Sequence, residues 1–95
     1  MGSTALITGA SGGIGAELAR YHAARGGDLV LVARSEDKLK ALQLELENAH
    51  KIKVMVVVAD LAQPESADQI FSATEQAGLN IDILINNAGF GGHGK

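Results

Sequence analysis

Four short apolar runs, separated by three stretches with helical spacing, constrain the fold of this chain more than any other feature. The run Leu29-Val30-Leu31-Val32-Ala33 is apolar at every position. A strand with one wet face alternates apolar and polar side chains, whereas a strand covered on both faces need not. Residues 5–8, 53–59 and 82–86 read the same way. Between the first two runs, Ile14, Leu18, Tyr21 and Ala24/Arg25 recur at steps of three or four, and Gly26-Gly27 ends that helix. A second helix starts with Ser35 as N-cap and Glu36 and Asp37 in its first turn, where the helix dipole favours acid. Its apolar stripe is Leu39, Leu42 and Leu46. A third places Pro64 first and Ile70, Ala73, Thr74 and Ala77 on one face, and Gly78 closes it.

The resulting order is β-α-β-α-β-α-β. Strict alternation with fully apolar strands predicts an α/β fold of three layers, a parallel sheet crossed by helices. Right-handed crossovers follow from the twist of the strands. A Rossmann-like winding gives the sheet order 3-2-1-4, with the first strand at the switch point. The 95 residues suit one domain, 1–95, and its three aromatic residues leave the core to Val, Ile, Leu and Ala. The fold reads as a half-fold truncated after strand 4. Ile83-Leu84-Ile85 is then a bare apolar edge, which predicts a homo-oligomer or pairing along that strand.

Charge and composition narrow the partners. A net charge of −3 argues against a nucleic-acid binder, which needs a basic face. No apolar run approaches the length needed to cross a bilayer, and the N-terminus lacks the basic-then-apolar pattern of a signal peptide. A cytoplasmic protein that meets neither membrane nor nucleic acid is expected. With no cysteine, thiolate metal sites are excluded. His22, His50 and His93 lack metal-ligand spacing, and the first two are expected to face solvent. The tail from Ala88 to Lys95 reads as loop.

The turn after the first strand carries the chemistry. Gly9 permits a tight exit from the strand. Gly13 lacks a β-carbon, so a pyrophosphate can approach the backbone. Gly15 lets the helix pack close to the sheet. The helix mouth offers unpaired N–H groups and the positive dipole end to phosphate, and Ser11 adds a hydroxyl donor. No Gly-Lys-Ser/Thr follows, so a P-loop is excluded. The spacing Gly-x-x-x-Gly-x-Gly also differs from the Gly-x-Gly usual in methyltransferases and larger dehydrogenases.

Thr8-Gly9-x-x-x-Gly13-Ile14-Gly15 resembles the cofactor signature of classical short-chain dehydrogenases/reductases. Asn86-Asn87-Ala88-Gly89 resembles that family's second signature, and Asp60-Leu61 matches its adenine-contacting position. The resemblance covers essentially the whole chain. It implies dinucleotide contacts from Gly9, Ser11, Gly12, Gly13, Ile14 and Gly15. It further implies that Asp60 accepts from the adenine amino group, that Leu61 N–H meets a ring nitrogen, and that Asn87, Ala88 and Gly89 line the cofactor. Asn86 fits either a cofactor contact or a brace between strands.

The residue type after the second strand selects the cofactor. An NAD site places a carboxylate there to accept from the ribose hydroxyls. Here Ala33 and Arg34 occupy the place. A guanidinium attracts a 2′-phosphate with forked, charge-assisted bonds, so NADP(H) is preferred and NAD(H) remains possible. Gly12 stands where NADP-type relatives often carry a basic residue, which leaves the phosphate to Arg34. Glu36 and Asp37 are close by in sequence, but a first helical turn facing water is preferred for them over a ribose contact.

The resemblance also implies what the 95 residues lack. The family transfers hydride between nicotinamide and a carbonyl or alcohol, with the proton supplied by a Tyr-x-x-x-Lys pair. The single tyrosine, Tyr21, is followed four positions later by Arg25 and is read as packing, and the chain stops six residues after Gly89. The expected function is the cofactor-binding portion of an oxidoreductase, inactive alone. The alternative is a non-catalytic nucleotide-binding or self-associating module.

Overall fold

The structure is a computed structural model that describes residues 3–10, 13–60 and 65–86. In chain order they form β1 (Thr4–Thr8), α1 (Gly13–Ala24), β2 (Asp28–Ala33), α2 (Glu36–His50), β3 (Val54–Val58), α3 (Ser66–Gln76) and β4 (Ile83–Asn86). The strands make one sheet in the order β3-β2-β1-β4, and every pairing is parallel. This is the predicted Rossmann-like half-fold.

Handedness sorts the helices between the faces. The chain steps β1 to β2 to β3 in one direction, so right-handed crossovers put α1 and α2 on one face. The return from β3 to β4 reverses direction and puts α3 on the other. The core divides accordingly. Ala5, Ile7, Leu29, Leu31 and Val54 meet Ala19, Ala23, Leu39, Leu42 and Leu46 on the first face. Leu6, Val30, Val32 and Val57 meet Ile70 on the second. Leu29, Val30, Leu31 and Val32 in β2 are at most 1% exposed. Each such side chain contributes roughly 1.5–3 kcal/mol relative to full exposure.

The α2 stripe of Leu39, Leu42 and Leu46 is as expected; that of α1 is not. Ile14 and Tyr21 are 69% and 65% exposed, and Ala24 and Arg25 also face solvent. The inward face is Gly15, Ala16, Ala19 and Ala23, with Leu18 half-buried beside it. Small side chains win because they let the helix axis approach the sheet closely. On α3, Ser66, Ile70 and Thr74 are buried, whereas Ala77 is exposed at the C-cap. Pro64 and the tail lie outside the described residues.

Burial on both faces holds for β1 and β2 only. Val58 in β3 is 48% exposed, and Ile83 and Leu84 in β4 are 39% and 68% exposed. These are the outer strands of the described sheet, which the apolar composition alone did not distinguish from central ones. Asp82 fastens the start of β4: its carboxylate accepts from Thr4 N–H at 2.9 Å, and its own N–H donates to the Thr4 carbonyl at 2.9 Å.

His22 also departs from expectation. It is half-buried, with Nε2 placed 2.8 Å from the Ser3 carbonyl oxygen. A carbonyl only accepts, so Nε2 carries the proton. A β-carbon at Gly27 would fall on the imidazole ring, which explains glycine there; at Gly26 the reason is a positive φ of 83°. His50 is half-buried rather than open to water.

The rotation of α1 yields a contrast. Replacing Ala19, fully buried, by leucine overpacks the helix–sheet contact and should cost about 1–3 kcal/mol. Ile14→Ala should change stability by no more than about 0.5 kcal/mol. Urea unfolding of both variants checks the assignment, and the reverse order would mean that α1 is turned the other way.

Candidate dinucleotide site

Because all strands are parallel, their carboxyl ends share one edge of the sheet. Thr8-Gly9, Ala33-Arg34, Val58 to Asp60 and Asn86 gather there. The first residue of α1, Gly13, opens beside them, so the helix mouth faces this edge. Its first turn holds no acidic residue. In open α/β sheets ligands bind along this edge at the strand where the winding reverses, here β1.

Gly9 and Gly13 have φ of 66° and 52°, the left-handed region in which glycine is favoured. A β-carbon built on Gly13 would meet nothing within 4 Å. The glycine is therefore not required by crowding within the described chain. It leaves open space over backbone N–H groups, a cradle that a side chain would fill. Ile14, in the same helical turn, projects into solvent, while Gly15 is buried toward the sheet. These features fit a diphosphate and the flat apolar parts of a dinucleotide.

Main-chain bonds fix the edge. Ala10, fully buried, donates its N–H to the Val32 carbonyl at 3.1 Å and ties the glycine turn to the end of β2. Ala59 N–H donates to the Ala33 carbonyl at 3.0 Å and ties the end of β3 to the same place. Thr8, buried, directs its Oγ1 to the Ile85 carbonyl at 3.5 Å across to β4. Nothing in the amino-acid sequence assigned a role to Ala10 or to the Ala59 N–H. A backbone bond leaves no side-chain signature, and Thr8 was noticed only as part of a motif.

Six of the twelve expected cofactor residues are described. Gly9, Gly13, Ile14 and Gly15 lie at the helix mouth. Arg34 directly follows β2 and is exposed, and Asp60 lies just past β3, half-buried. Ser11, Gly12, Leu61, Asn87, Ala88 and Gly89 lie outside the described residues. Ser35 occupies the N-cap of α2 with extended backbone, φ −92° and ψ 97°, but its side chain makes no capping bond. The α2 dipole is met instead by Glu36 and Asp37 in the first turn. Among the described residues no group of His, Asp and Glu could hold a metal ion, and no helix is long and apolar enough to cross a membrane.

A depression of about 210 Å³ lies between α1 and α2, lined by Ala16, Arg20, Lys38, Ala41, Leu42 and Glu45. It belongs to the helix layer rather than to the strand ends. Arg20 Nε donates to Glu45 Oε2 there at 2.8 Å. That hydrogen bond, with the charge of the guanidinium, holds the Glu45 carboxyl below its usual value and raises Arg20.

Fold and edge together define a Rossmann-type α/β domain with a helix mouth open at the switch point. The sequence pattern of short chain dehydrogenases matches residues 3–95, and the chain belongs to that family. It is 39% identical to a very-long-chain 3-oxoacyl-CoA reductase of Kluyveromyces lactis over 93% of this chain and 25% of that protein. The L-sorbose reductase of Gluconobacter frateurii, solved with NADPH and L-sorbose, superposes with a TM-score of 0.88 at 38% identity, over 94% of this chain and 34% of that one. A short-chain dehydrogenase of Sphingobium yanoikuyae, solved with NADPH, gives a TM-score of 0.83 at 44% identity, over 93% of this chain and 34% of that one. The chain thus spans about a quarter of the first relative's length and about a third of each solved structure.

The Arg20–Glu45 pair sets an acid dependence. Because the folded carboxyl titrates below its unfolded value, near 4.5, the pair's contribution is present above that pH. It is lost as pH falls through the lower folded value. Both side chains are about half exposed, 45% and 50%, so the contribution stays within about 1 kcal/mol. The stability gap between wild type and Glu45→Gln should therefore shrink from pH 7 to pH 3 in urea titrations; a constant gap contradicts the assignment.

Proposed function

We propose that the carboxyl edge of this sheet binds a nicotinamide dinucleotide, NADP(H) in preference to NAD(H). The chain is then the cofactor-binding portion of an oxidoreductase that moves hydride between nicotinamide and a carbonyl or alcohol. One observation carries the reading: an uncrowded helix mouth at Gly13 shares the switch-point edge with the exposed Arg34, where an NAD site would place a carboxylate. The NADPH in two solved relatives supports it.

The residues divide the work by chemistry. Gly9 and Gly12 leave room for the pyrophosphate, and main-chain N–H groups at the mouth of α1, from Gly13 to Gly15, hold it with the Ser11 hydroxyl. Ile14 covers an apolar part of the cofactor. Arg34 pairs with the 2′-phosphate, and Asp60 with Leu61 reads the adenine edge. Asn87, Ala88 and Gly89 line the path past β4. The bound cofactor supplies the hydride chemistry, and the protein supplies position and a proton. No Tyr-x-x-x-Lys occurs within these 95 residues, and Tyr21 is exposed on α1 beneath the Arg25 guanidinium, 5.6 Å from its ring centre. The 95 residues alone therefore bind without turnover.

Fluorescence titration of the 95-residue chain with NADPH and NADH tests the reading. Arg34→Asp should weaken NADPH by roughly tenfold or more while changing NADH little, since it removes a charge-assisted phosphate contact. Equal losses for both cofactors would refute the arginine's role, and no binding of either would refute the site.

Exposure of Ile83 and Leu84 supports a second proposal, that β4 pairs with another strand, in a homo-oligomer or with another segment. Leu84→Lys should then lower the average mass seen by light scattering. A wild-type chain that stays monomeric as concentration rises contradicts self-pairing.

A further inference from the structure

The opposite side of the sheet behaves differently. Helix α2 returns to β3 through residues 51–53. Lys51 takes a left-handed φ of 56° and donates its N–H to the Glu47 carbonyl at 3.1 Å, closing the last helical turn. The last turns of α2 thereby lie beside the start of β3.

Strand β3 is an outer strand, paired with β2 alone among the described residues. Leu29 N–H donates to the Lys53 carbonyl, and Ala59 N–H to the Ala33 carbonyl, each at 3.0 Å. Main-chain groups alternate in direction along a strand, so residues 53, 55, 57 and 59 turn theirs toward β2. Val54, Val56 and Val58 turn theirs outward. Both outward groups of Val54 are already used within the chain. Its N–H donates to Glu47 Oε2 at 3.0 Å, and its carbonyl accepts from Gln43 Nε2 at 2.7 Å. Gln43 and Glu47 are four residues apart, hence on one side of α2, next to the buried Leu42 and Leu46.

We propose that Gln43 and Glu47 seal the outer edge of β3 against a strand from a second copy of this chain. An unpaired edge is a template for strand addition, whose affinity comes from consecutive main-chain bonds. Val54 is one of three outward positions on a five-residue strand. With it taken, Val56 and Val58 remain, too few for a ladder with a defined register. The seal consists of side-chain bonds from the strand's own crossover helix.

The test is hydrogen exchange on the whole 95-residue chain at low and high protein concentration. Gln43→Ala with Glu47→Ala removes both bonds and keeps good helix formers on α2. Exchange at the Val54 amide should then accelerate by roughly tenfold or more at low concentration, as expected for losing a bond to a charged acceptor. At high concentration the amides of Val56 and Val58 should become protected, while in wild type they stay independent of concentration. Any association of wild type through β4 leaves that readout unchanged. Glu47→Gln keeps an acceptor oxygen and should behave as wild type, which separates hydrogen bonding from charge repulsion. Gln43→Ala alone frees only the carbonyl, and smaller concentration-dependent protection at β3 is expected, so the test survives failure of the double variant to fold. Unchanged Val54 exchange in a folded double variant, or no concentration-dependent protection at β3 in either alanine variant, overturns the proposal. So does Glu47→Gln matching the double variant.

Discussion

The close approach of α1 to the sheet is the contact on which the rest of this structure depends. A helix that presents Gly15, Ala16, Ala19 and Ala23 to a parallel sheet can settle nearer to the strands than one presenting leucines. Gly9, at the exit of β1, and Gly13, at the start of α1, both take positive φ. A bulkier inward face would lift α1, and the main-chain N–H groups at its start would no longer face the strand ends. Packing on the far side of the helix thus sets the geometry of the mouth.

Parallel winding does the remaining positioning. Each strand delivers its end to the same edge, so Arg34 and Asp60, just past β2 and β3, arrive there although they lie 26 positions apart in sequence. The end of β2 is the anchor. Its Val32 and Ala33 carbonyls receive N–H groups from Ala10 and Ala59, the loops on either side. Strand β2 is buried from Leu29 to Ala33, so both loops are tied to a packed strand end.

Much of this was legible in the amino-acid sequence, for a physical reason. Alternating apolar runs and helical periods leave few arrangements, and the handedness of crossovers leaves fewer; the order β3-β2-β1-β4 is the one that a Rossmann winding gives among them. The glycine turn was readable because its chemistry demands residues that lack a β-carbon. The α2 stripe of Leu39, Leu42 and Leu46 was readable because large side chains on one side leave no doubt about the inward face. The α1 face was misread because alanine carries almost no hydrophobic signal; Ile14 and Tyr21 looked like a stripe and lie in water. The burial of His22 depends on where Ser3 ends up, and the ties at Ala10 and Ala59 are backbone bonds, so neither could be read from residue type.

The two outer strands show why apolar composition cannot fix a strand's place in a sheet. Val54-Met55-Val56-Val57-Val58 and Ile83-Leu84-Ile85 look alike as sequence. Their difference lies in the elements beside them. Helix α2 follows β2 and must return over β3, so its polar side chains reach the outward main-chain groups of Val54. Helix α3 packs on Leu6, Val30, Val32 and Val57, toward the centre of the other face, and leaves Leu84 mostly exposed. At Val54 one edge is met by its own crossover helix, while Ile83 and Leu84 at the other present apolar surface.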